Sequence, residues 1–239
     1  MVVVAVAVCA TVVTVAAHGP RVAVAADADA LGGAAVGGAA SPPAAQPARQ
    51  SFDRVNAVTP RSGGLLGPRF PSRAPVLLVG DSLAVGIAGP LAAAWPNRTV
   101  TVEALEGRNT STSAALLADH ASATGPIWVV SLGTNDLPTD FPAAARTMMR
   151  LAGPSRCVVW YDVHRVDTQD AVNATLSRLA GRHANLHLLG WAALAQAHPE
   201  WFGYDGIHPD TAGYLARASL ATDAVAQLCT TGGAGGALG

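Results

Sequence analysis

Lysine is missing from this chain: all 15 basic residues of the 239 are arginine. Charged residues are scarce as well, at 13%, and they nearly cancel to a net charge of −1. So balanced a chain has no basic stripe for binding nucleic acid. It has no block of like charge that would hold an anionic membrane surface either. Aromatics are 5% of the residues, and alanine and valine supply much of the 50% that is hydrophobic. No internal repeat is visible. His183, His187 and His198 show no ligand spacing with cysteines or carboxylates, so the sequence calls for no metal or other cofactor.

What the chain does have begins with an apolar run over residues 2–17. The run is short for a membrane span and suits the core of a signal peptide, although no basic residue precedes it. Small residues at Ala23-Val24-Ala25 and Ala28-Asp29-Ala30 offer cleavage sites. Residues 1–30 are therefore expected to be a signal peptide or an N-terminal anchor, which makes the protein an exported one of the cell envelope. Residues 31–74, rich in alanine, proline and glycine, hold no lasting period and read as a flexible spacer. Its last part, around Leu65-Leu66 and Phe70, is a candidate arm against the domain that follows. Residues 231–239 read as a flexible tail.

Export leaves Cys157 and Cys229 as an even pair in an oxidising compartment. A disulfide there would pin the last helix to a strand; two buried thiols are the alternative.

From Pro75 onward, apolar runs alternate with helical stretches. Strands are predicted at 76–79, 100–104, 127–132, 157–163 and 185–189. Helices are predicted near 83–95, 111–121, 141–152, 168–182, 191–198 and 210–228, with Gly89-Pro90 kinking or splitting the first. Buried strands spaced by helices imply an α/β domain over 75–230, with a five-stranded parallel sheet covered on both faces.

The chemistry-bearing stretch is Val76-Leu77-Leu78-Val79-Gly80-Asp81-Ser82. An unalternating run of branched residues makes a strand buried on both faces, and Gly80 ends it. Asp81 and Ser82 are good residue types to open a helix. The Ser82 hydroxyl would then stand at the carboxyl edge of the sheet, beside the unpaired N–H groups of a helix start. There is no Gly-x-Ser-x-Gly, so the α/β-hydrolase elbow does not compete. A serine hydroxyl needs a base, and Asp205-Gly206-Ile207-His208-Pro209 supplies a histidine with an aspartate three residues before it. Gly133-Thr134-Asn135-Asp136 follows another buried run, and Gly107 lies between these blocks.

Taken in order, these blocks resemble those of the SGNH/GDSL hydrolase family over residues 75–229. They are most like small actinobacterial members, including domains attached to membrane acyltransferases. The resemblance implies a three-layer, flavodoxin-like fold. It also implies a triad of Ser82, His208 and Asp205, and an oxyanion hole made by the Ser82 N–H, the Gly107 N–H and the Asn135 amide. The function it implies is a serine esterase working through an acyl-enzyme, with a small-molecule, glycan or lipid ester as substrate. The alternatives are an acyltransferase with the same triad and a glycan-binding domain without turnover. Arg108, His164 and Trp201 are candidates for substrate contact, each with packing or surface exposure as its other reading.

Overall fold

The computed structural model describes residues 67–231. Residues 1–30, expected to be a signal peptide or anchor, and most of the expected spacer and tail lie outside the described residues. Five strands form a parallel sheet: β1 (Val76–Gly80), β2 (Val100–Ala104), β3 (Ile127–Ser131), β4 (Cys157–Tyr161) and β5 (Leu186–Leu189). Their order across the sheet is β2-β1-β3-β4-β5. The helices are α1 (Ser82–Ala94), α2 (Thr110–Ala118), α3 (Phe141–Ala152), α4 (Gln169–Ala180), α5 (Trp191–Ala197) and α6 (Thr211–Ala224). The sheet is thus the expected three-layer α/β/α arrangement. Among the described residues, no helix is long and apolar enough to cross a membrane.

Successive side chains of a strand point to opposite faces, and here that alternation divides the core in two. Val76, Leu78, Val129, Val159 and Tyr161 face α1, α5 and α6. Leu77, Val79, Trp128, Val130 and Trp160 face α2, α3 and α4. β1, β3 and β4 are buried along their whole length, whereas the edge strand β2 is not. Unbroken runs of Val, Leu and Ile are what two covered faces require.

The arm expected around Phe70 packs on the domain. Phe70 N–H donates to the Cys229 carbonyl (2.8 Å), Thr231 N–H donates to the Phe70 carbonyl (2.8 Å), and Ala74 is in the core. Several boundaries differ from expectation for local reasons. β4 stops two residues early because β5 has already ended beside it. There the Asn173 side chain takes both the Val163 N–H and the Val163 carbonyl, each at 2.8 Å. α1 is not split: it runs on through Pro90 to Ala94. The last helix, predicted from 210, begins one residue later: Asp210 caps α6 by accepting from Gly213 N–H at 2.9 Å, and Pro209 pairs with Phe202 in an antiparallel bridge.

The sulfurs of Cys157 and Cys229 are bonded, with Cα atoms 5.6 Å apart and a sequence separation of 72. The bond joins the start of β4 to a π turn at Val225–Cys229 that extends α6.

Candidate active site

All five strands run in the same direction, so the loops that follow them share one edge. The chain leaves β1 for β2 on one side and later β3 on the other, and the crevice of such a sheet opens at that reversal. The β1 loop brings Ser82 to it, the β2 loop Gly107 and the β3 loop Asn135. The fourth contribution is the 202–209 loop, carried by α6, which packs on α1.

Ser82 is the first residue of α1, with Asp81 as its N-cap. The buried Asp81 carboxylate accepts from Leu83 N–H at 3.0 Å, and Asp81 N–H donates to the Ser131 carbonyl at 3.1 Å. Those bonds hold the elbow at the end of β1. Ser82 Oγ lies 2.8 Å from His208 Nε2. On the other side of the ring, His208 Nδ1 lies 2.6 Å from Asp205 Oδ2.

The base-bearing loop is pinched at its root. Phe202 pairs with Pro209, and Asp210 N–H donates to the Trp201 carbonyl at 2.7 Å. At its tip the backbone turns through Gly206 at φ 64°, a conformation that suits glycine. Asp205 Oδ1 then accepts from Ile207 N–H (2.9 Å) and His208 N–H (3.1 Å). The Ile207 amide, followed by the His208 ring, holds the Asp205 carboxyl down at about 2. Asp205 is therefore a carboxylate across the ordinary pH range. As an acceptor it fixes the tautomer with hydrogen on Nδ1, which leaves Nε2 free to take a proton from Ser82.

Across the cleft, Gly107 has φ 70°, in the left-handed region, and an added Cβ would meet nothing. Asn135 Nδ2 makes two long contacts, 3.3 Å to the Arg108 carbonyl and 3.4 Å to Asp81 Oδ2. Asp136 ties the two loops together. Its carboxylate accepts from Thr110 N–H (3.0 and 3.1 Å) and from Thr110 Oγ1 (2.8 Å), three residues after Gly107. Ser82, Val85, Gly86, Glu106, Gly107, Asn135, His208 and Tyr214 line an open cleft of about 480 Å³. The arrangement can deprotonate the serine hydroxyl and face N–H donors toward an oxygen on the carbon it attacks.

The structure brings together Ser82, His208, Asp205, Gly107 and Asn135. It does not bring Arg108, His164 or Trp201 into the cleft. Arg108 turns its guanidinium back to the Glu103 carbonyl at 3.0 Å. His164 packs on Phe202, with ring centroids 5.1 Å apart. Trp201 is buried, stacked between His198 (4.1 Å) and Trp191 (6.3 Å). Its indole is worth more in the core than at a solvated rim. Asp136, Tyr214 and Glu106 were not singled out in the sequence. Asp136 could have been, since it closes the Gly-Thr-Asn-Asp block; Tyr214 and Glu106 carry no such signal. Among the described residues, no group of three or more His, Cys, Asp or Glu comes together as metal ligands would.

No family model matches the chain. It is 31% identical over 137 residues to YrhL of Bacillus subtilis, whose name is that of a peptidoglycan O-acetyltransferase; the match covers 56% of this chain and 21% of YrhL. It is 28% identical over 157 residues to the O-acetyltransferase OatA of Staphylococcus aureus, covering 60% of this chain and 24% of OatA. The matched part thus spans about a quarter or less of the length of these relatives. Among solved structures, it superposes on the C-terminal catalytic domain of peptidoglycan O-acetyltransferase A from Streptococcus pneumoniae. That superposition has a TM-score of 0.56 and 17% identity, and covers 70% of this chain and 100% of the other. The described residues have the three-layer α/β/α fold of the SGNH hydrolases.

Proposed function

We propose that this domain is an exported acyl-handling enzyme that carries an acyl group on Ser82, with O-acetyl groups of cell-envelope glycans as its substrate class. The observation that carries this reading is the continuous chain from Ser82 Oγ through His208 to Asp205, at 2.8 and 2.6 Å, facing Gly107 and Asn135 across one cleft.

Ser82 Oγ attacks the ester carbonyl carbon while its proton passes to His208 Nε2. The carbonyl oxygen becomes the anion and is met by the Ser82 and Gly107 N–H groups and the Asn135 amide. As the C–O bond to the leaving alcohol breaks, His208 returns the proton to that oxygen, leaving acyl-Ser82. A second hydroxyl then gives its proton to His208 and attacks the acyl carbon; the bond to Ser82 Oγ breaks, and His208 returns the proton to that oxygen, restoring the serine. Water as that hydroxyl makes the domain an esterase, and a sugar hydroxyl makes it an O-acyltransferase. The relatives named as O-acetyltransferases favour transfer, and a cleft open to solvent leaves room for a glycan acceptor.

Intact-mass spectrometry after a fluorophosphonate probe should show one adduct, absent in Ser82→Ala. Incubation with p-nitrophenyl acetate and chitooligosaccharide should then yield acetylated sugar beyond the background with Ser82→Ala. Free acetate alone would assign hydrolysis. Full activity in purified Ser82→Ala would remove the mechanism.

A further inference from the structure

α6 carries more than the base loop. Arg217, two turns into that helix, is 2% exposed. Its guanidinium lies 3.8 Å from the Tyr161 ring centroid and 4.7 Å from that of Trp191. Nη2 donates to Ser131 Oγ at 3.0 Å, and Nε and Nη1 have no direct partner. A buried guanidinium is costly to desolvate, and an apolar side chain would fill the space at lower cost. Stacking on two rings offsets part of that cost. The charged and titratable groups around it are Tyr161, Asp81, Asp162 and Tyr214.

Of these, Asp81 leads to the site. It is fully buried, and Arg217 opposes the tendency of burial to neutralise it. Ser131 links the pair from both ends: its hydroxyl accepts from Arg217, and its carbonyl accepts from Asp81 N–H. Asp81 Oδ2 in turn faces Asn135 Nδ2 at 3.4 Å.

We propose that Arg217 is a positioning residue for the oxyanion hole: its buried guanidinium is the counter-charge of Asp81, and Asp81 orients the Asn135 amide. The base-bearing helix thereby also sets the donor on the far side of the cleft. This rests on the acyl-enzyme reading of the site. The amide nitrogen carries two hydrogens. The carboxylate holds one, and the other turns from the Arg108 carbonyl to the substrate oxygen as charge builds there.

The test separates charge from packing. Arg217→Gln keeps a polar, donor-bearing side chain and removes the charge, whereas Arg217→Lys keeps the charge. Arg217→Gln should lower kcat for p-nitrophenyl acetate by about tenfold or more with KM little changed, and Lys should recover most of the loss. In an Asn135→Ala background, Arg217→Gln should cost almost nothing further, because both act on one donor. Equal loss with Lys and Gln, or losses that multiply in the double variant, would overturn the proposal. Should Arg217→Gln not fold, Asp81→Asn in the Arg217 protein must reproduce the loss and its non-additivity. NMR of the Asn135 side-chain amide in resting protein requires no turnover. A resonance unmoved by both Arg217→Gln and Asp81→Asn refutes the positioning role. A wild-type protein that takes no fluorophosphonate on Ser82 refutes the acyl-enzyme reading instead.

Discussion

Asp136→Ala should weaken the fold and the catalysis together. Asp136 is 6% exposed and Thr110 fully buried, so Thr110 N–H and Oγ1 have no water to fall back on. Both now donate to the one carboxylate, at 2.8–3.1 Å. Leaving a buried donor unpaired costs roughly 1–3 kcal/mol each. Relief of the desolvation that raises the Asp136 pKa offsets part of that sum. A net loss of about 2–4 kcal/mol follows, or a melting point lower by roughly 5–15 °C for a domain of this size. Marginal stabilities are about 5–15 kcal/mol, so the variant remains folded for assay. Thr110 starts α2 just after Gly107, so a loosened α2 also displaces the Gly107 N–H. That should lower kcat on the order of 10–100-fold, less than the loss of a whole oxyanion donor. Asp136→Asn keeps an acceptor oxygen for Thr110 and should recover much of both losses. Urea melts and p-nitrophenyl acetate kinetics on the three proteins decide it. A change in stability under about 0.5 kcal/mol would refute the unpaired-donor argument. A large stability loss with kcat unchanged would refute the coupling of Asp136 to the oxyanion loop.

Gly86→Ala places a methyl group 2.1 Å from Tyr214 Cε1 and must displace that ring from the cleft wall. Its kcat/KM for acetyl esters should change at least about tenfold while the protein stays folded, since the ring is only half-buried; unchanged kinetics would show that Tyr214 does not shape the site. Burial pushes the Asp162 carboxyl up to about 6, against the Ala192 N–H bond and Arg217, which lower it. A raised acid makes the native state hold its proton longer than the unfolded chain does. Stability should therefore fall as pH rises from about 4 to about 6, by at most about 3 kcal/mol. Asp162→Asn should flatten that slope in urea melts at pH 4, 5 and 7, and an unaltered slope would assign it to other groups. Breaking the Cys157–Cys229 bond, whose sequence separation is 72, should cost about 4 kcal/mol in the chain-entropy account and lower the melting point. Two thiols alkylated in unreduced, denatured protein from an oxidising compartment would refute the bond.

Several features were determined locally, within a few residues of chain. Val76–Gly80, Ile127–Ser131 and Cys157–Tyr161 are strands because runs of branched and aromatic side chains suit a sheet covered on both faces. Asp81 caps α1, and Asp205 with His208 forms its turn, through bonds that span two or three residues. Such pieces are legible because the groups that make them are close in sequence. What joins the pieces is not. Ser82 and His208 are 126 residues apart, and they meet because α6 packs on α1. The strand order decides that the Gly107 and Asn135 loops flank Ser82, and order is a property of the whole sheet. Burial could not be read from residue type either. Arg217 is enclosed by two rings, a place that nothing near it in sequence signals, and of the two readings open for Trp201, substrate contact and packing, the structure has packing. Each depends on neighbours supplied by distant segments, and only the closed tertiary structure places those side by side.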